Sequence, residues 1–144
     1  MTESPSRTVT PRASGPARAF NALIGVTTLG IFLQAITAGE FVSQDHREGW
    51  IAAHNIISNV TLTVAVIAAV AGFAAGRVNR MAAWASVVLV VLLLVQTVLG
   101  HLITDGKQDY LIGVHVPLAF LIFGLTIWLS IRGALARRAR STAV

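Results

Sequence analysis

Four side chains stand out for their chemistry: Glu40, His54, His101 and His115, three of them imidazoles, set in a chain that carries only 12% charged residues. Neutral imidazole is a ligand for zinc, copper and iron, and a carboxylate can join it. The spacing brings these groups to one level. Glu40 ends the first long apolar stretch, and His54 lies four residues into the second, about 6 Å deep at 1.5 Å per residue. His101 lies four residues before Asp105, at the end of the third stretch, and His115 four residues past Leu111, at the start of the fourth. The fourth histidine, His46, falls in the first connecting loop.

Helical periodicity adds polar neighbours to this layer. His54, Ser58 and Thr61 recur at i, i+4 and i+7, and Thr27, Gly30, Gln34 and Thr37 make a similar stripe. Gln96 and Gly100 share one side of the third stretch, with Thr97 and His101 beside them. Polar and small residues of membrane helices face their partners, while Leu, Val and Ile face lipid. Gly39 precedes His54 by 15 residues, and Gly100 precedes His115 by 15. A weak internal repeat at an offset of 61 follows, making His54 and His115 equivalent positions.

The elements that must position these groups are set by composition. Hydrophobic residues make up 55% of the 144 and charged residues 12%, against about 25% charged in an ordinary soluble domain. Uncharged runs cover 19–39, 49–76, 81–104 and 110–131. Each reaches the roughly 20 residues that cross a bilayer. The sequence predicts four transmembrane helices, near 20–42, 50–75, 82–104 and 111–131. Short connections predict an all-α, up-down-up-down four-helix bundle. Residues 1–19 read as a disordered tail, 20–135 as the bundle and 136–144 as a basic tail. A cleaved signal peptide is the rival for the first span, but its apolar part is longer than the usual h-region.

Nine of the eleven Lys and Arg flank one side, leaving Arg47 and Lys107 on the other with five of the six acids. The positive-inside rule then predicts cytoplasmic termini and a multi-pass protein. Ten Arg against one Lys, with abundant Ala and Val, point to a GC-rich genome and so to a bacterial plasma membrane. The net charge of +5 reads as affinity for anionic lipid headgroups and not for nucleic acid. With no cysteine, thiol catalysis, Cys-ligated metal centres and thioether-linked heme are excluded.

Two neutral imidazoles opposed across an apolar bundle fit a heme iron, with His54 and His115 as axial metal ligands. Gly39, Gly100 and Gly113, with Ala53 and Ala119, would leave room for the macrocycle. Arg47 and Lys107 could meet its propionates. His101, Glu40, Gln34 and Gln96 would form the surrounding polar shell. Non-covalent heme b is the expected cofactor. Two other readings stay open: interhelical hydrogen bonding alone, and a non-heme metal held by His54, His101, His115 and Glu40.

The segments LGIFLQAITAGEF, AAHNIISN, VQTVLGHL and GVHVPLAF resemble one half of the heme A synthase family, over about residues 23–131. That family joins two similar four-helix bundles, each with histidines on its second and fourth helices. The resemblance implies axial ligation by His54 and His115, heme near the outer face and cytoplasmic termini. The glutamate-rich motif of the family is absent, and Asn55 stands where the family often has Arg. It therefore implies a b-type cytochrome working in electron transfer or heme handling, with an enzyme acting on heme O as an alternative. A cofactor-free accessory subunit is a further alternative. A homodimer or a larger membrane complex would restore the second bundle.

Overall fold

The computed structural model describes residues 15–76 and 80–142, all of it helix, turn or short linker. Four helices follow one another: α1 (Gly15–Ser43), α2 (Glu48–Ala74), α3 (Arg80–Thr104) and α4 (Ile112–Ser141). Each is long and apolar enough to cross a membrane. A 3₁₀ turn over Asp109–Leu111 leads into α4. The two ends differ from the sequence expectation. Helix α1 starts at Gly15, inside the expected tail, whose first 14 residues lie outside the described part. Helix α4 runs past its apolar stretch to Ser141, because the tail after Arg132 is rich in Ala, Leu and Arg, all strong helix formers.

Each helix packs on its chain neighbours, and α1 also meets α4, which closes the ring. The α1–α2 contact is the most extensive. The core lies toward the end that holds the chain termini, around Phe20, Ile24, Ala65, Ala68, Leu89 and Leu129. There the backbones come very close. A Cβ on Gly72 would lie 3.0 Å from the Phe20 ring and 3.3 Å from the Ala83 backbone, so only glycine lets α1, α2 and α3 meet at that level. Gly30 does the same for Thr61, and Gly133 for Asn21. Thr28 and Ser130 hydroxyls pair at 3.3 Å between α1 and α4.

Small residues at helix contacts are what membrane bundles use, since lipid offers no hydrophobic drive to bring helices together. The outer surface agrees. Val26, Leu29, Ile67, Val70, Val91 and Leu121 are all about half exposed or more. A water-soluble monomer does not show an apolar exterior of this extent.

Candidate functional site

At the opposite end, near the α1–α2 and α3–α4 linkers, packing loosens into a cavity of about 470 Å³. Ligand pockets run from roughly 300 to 1,000 Å³. All four helices contribute to its wall: Gln34 from α1, His54 from α2, Gln96, Gly100 and His101 from α3, and His115 from α4. Asn55, Ser58, Asn59, Thr61 and Thr97 add polar atoms, and the rest of the wall is apolar, with Phe32 and Phe120 among its largest members.

The His54 ring is held in a defined way. Its Nδ1 lies 3.0 Å from the Thr37 hydroxyl, which also sits 3.1 Å from the carbonyls of Leu33 and Gln34. A threonine hydroxyl has one proton, and carbonyls can only accept. With its proton shared toward the helix carbonyls, the hydroxyl is an acceptor for His54 Nδ1–H. That leaves the Nε2 lone pair as the free ligating position, the arrangement in which an outer partner fixes the tautomer of a ligating histidine. The Phe41 ring packs edge-on against the imidazole, with centroids 5.4 Å apart.

His115 is placed at the same level but anchored differently. Its Nδ1 is buried with no hydrogen-bond partner, and Gln96 Oε1 is in the same condition. The two residues are in contact elsewhere, since Gln96 Nε2 donates to the His115 carbonyl at 3.0 Å. The same bond occurs in the first half, where Gln34 Nε2 donates to the His54 carbonyl at 2.8 Å. The two hairpins thus share one hydrogen bond in kind. The glutamines stand 62 residues apart and the histidines 61, so a single offset does not align both.

His101 sits at the exposed rim, its Nδ1–H donated to the Thr97 carbonyl at 2.9 Å. Beyond it, Ser58 and Thr97 hydroxyls pair at 3.4 Å across α2 and α3. Asn55 and Asn59, which the sequence reading did not single out, also reach the cavity. Their spacing of one helical turn on the His54 side of α2 is the signal that could have found them.

Ala119 also lines the cavity, whereas Glu40, Gly39, Gly113, Ala53, Arg47 and Lys107 do not reach its wall. Glu40 is engaged by the Gln44 amide, and Gln44 in turn accepts from Trp50 Nε1 at 3.3 Å, so the carboxylate belongs to the linker. Gly39 and Gly113 have open space around them. Arg47 opens α2, and Lys107 takes a left-handed backbone conformation (φ 52°) in the second linker. Among the described residues no three His, Asp or Glu side chains converge closely enough to hold a bare metal ion. The chain matches no known family model, no curated protein and no solved structure.

Proposed function

We propose that the protein is a multi-pass membrane protein of the bacterial plasma membrane, an up-down-up-down bundle with cytoplasmic termini, that binds a b-type heme between His54 and His115. The observation that carries this reading is a pair of imidazoles from α2 and α4 lining one cavity, with the His54 ring held at Nδ1 by the Thr37 hydroxyl. The fit rests on the chain's own groups. No hydrogen bond at Nδ1 ties the His115 ring away from the cavity that both histidines line. Gly100 leaves that ring unobstructed, since even an added Cβ would stand 3.6 Å from His115 Cε1. No cysteine is available for a thioether, so the attachment is non-covalent.

Within this reading the residues have separate tasks. Thr37 orients His54. Gln34 and Gln96 hold the backbones of the two histidine-bearing turns. The apolar wall around Phe32 and Phe120 excludes water from the ring faces. The heme, when bound, supplies one-electron chemistry, and the protein tunes it through ligand identity and burial. The resemblance to half of heme A synthase belongs to this proposal, as do electron transfer or heme handling at the outer leaflet and a homodimeric or larger assembly.

A cofactor-free accessory subunit is the second reading. The Ser58–Thr97 and Thr28–Ser130 pairs favour it, because they join helices without need of a ligand. One spectrum separates the two. Protein purified in detergent from a host supplied with ample heme shows a Soret band if the first reading holds, and a colourless preparation ends it.

A further inference from the structure

We infer that the two faces of the bound iron are unequal, and that a small neutral diatomic ligand binds on the His115 side by displacing that imidazole while His54 stays. This rests on the heme reading above. The inequality comes from four separate features. His54 Nδ1 is tied to Thr37, a side chain only 5% exposed and itself fastened to two backbone carbonyls. His115 Nδ1 has no such tie. Whichever register of the repeat is used, the position equivalent to Thr37 is Val98 or Leu99, neither of which can hydrogen-bond.

The backbone under His115 is also softer. Pro117 lies two residues on, inside α4, and has no N–H for the Gly113 carbonyl. Gly113 itself has nothing within 4 Å of where its Cβ would be, so no neighbour packs against that point of the turn. Lastly, Gln96 Oε1 is itself buried without a partner, on the residue that already holds the His115 carbonyl. Its amide nitrogen is already spent on the His115 carbonyl, so the oxygen is free to accept the Nδ1–H of a displaced imidazole.

The exchange balances simply. One iron–nitrogen coordinate bond breaks and one bond from iron to the diatomic forms. No electron is gained or lost, no proton leaves the protein, and the released imidazole stays neutral. Distal-side access and polarity decide whether such a ligand enters a heme pocket. Here the access is on the α4 side.

Carbon monoxide is the probe, added to the full-length, heme-loaded and chemically reduced protein. The expected result is a shifted, sharpened Soret band that saturates at one carbon monoxide per heme. Its final spectrum and carbon monoxide stretching frequency match those of the His115→Ala complex, because both keep His54 opposite the ligand. Heme-loaded protein whose spectrum does not respond to saturating carbon monoxide overturns the inference but not the heme reading. A carbon monoxide stretching frequency that differs from that of the His115→Ala complex overturns it too, since the ligand would then sit on the wrong face. The titration of unmodified protein decides the first point even if His115→Ala fails to fold. Protein that stays colourless with heme supplied removes the reading and the inference together.

Discussion

The α1–α2 and α3–α4 hairpins carry the same polar device and finish it differently. In both, a glutamine on the first helix donates to the carbonyl of a histidine on the second, at 2.8 Å and 3.0 Å. In the first hairpin a threonine hydroxyl also fixes the imidazole ring, whereas in the second the ring nitrogen and the glutamine oxygen are both left without partners. Packing follows the same order, since α1 and α2 share the most extensive contact and α3 and α4 a far smaller one. A repeated backbone arrangement can therefore hold two chemically unequal copies of one side chain. Buried, unmade hydrogen bonds are costly, and among the described residues the two that remain unmade both lie in the second hairpin.

The comparison breaks first at the histidines. His54→Ala is expected to lose nearly all bound heme, measured as heme per protein after purification, whereas His115→Ala keeps a substantial share in a five-coordinate, high-spin form. Equal losses would erase the distinction between the hairpins. Next in size is Gly30→Val, which drives a side chain into Thr61 where α1 and α2 touch. Overpacking of this kind costs about 1–3 kcal/mol, which lowers the thermal midpoint in detergent. Thr37→Val removes the His54 anchor and leaves Nδ1–H buried without a partner, a cost of about 1–3 kcal/mol. It should weaken heme binding at least several-fold in a titration of the heme-free protein and bring His54 closer to His115 in behaviour. Gln96→Leu takes away the acceptor for a displaced His115, and the carbon monoxide affinity should fall by up to about tenfold, the worth of one hydrogen bond. Smallest is Gly39→Ala. With open space around that residue, the change should alter stability by less than about 0.5 kcal/mol and leave the spectrum as it was.

Much of this was legible in the residues themselves. Charges bounding apolar runs located all four helices, because a stretch of that length and composition has few other stable states. His54, His101, His115, Gln34, Gln96 and Gly100 were placed together from helical spacing and depth, and all six line the cavity. Glu40 was misleading because depth alone cannot say which way a helix-end carboxylate turns, and the Gln44 amide lies within reach. Gly39 and Gly113 were read as space for a ring, but a small residue makes room only where another atom would otherwise stand. The partner of His54 was readable in principle. Thr37 and His54 lie equally far from the linker at 44–47, so a helical hairpin brings them level. What spacing could not supply was the direction of the hydroxyl proton, which depends on two backbone carbonyls whose positions only the folded helix defines.

The linker between α1 and α2 spans just residues 44–47, and His101 at the rim is exposed while also lining the cavity. The chamber lies at the linker end of the bundle, so in the proposed orientation it faces the periplasm. A hydrophilic reductant sealed inside inverted vesicles would bleach or restore the chromophore at once, while the same compound added to the bathing medium would have to wait for leakage.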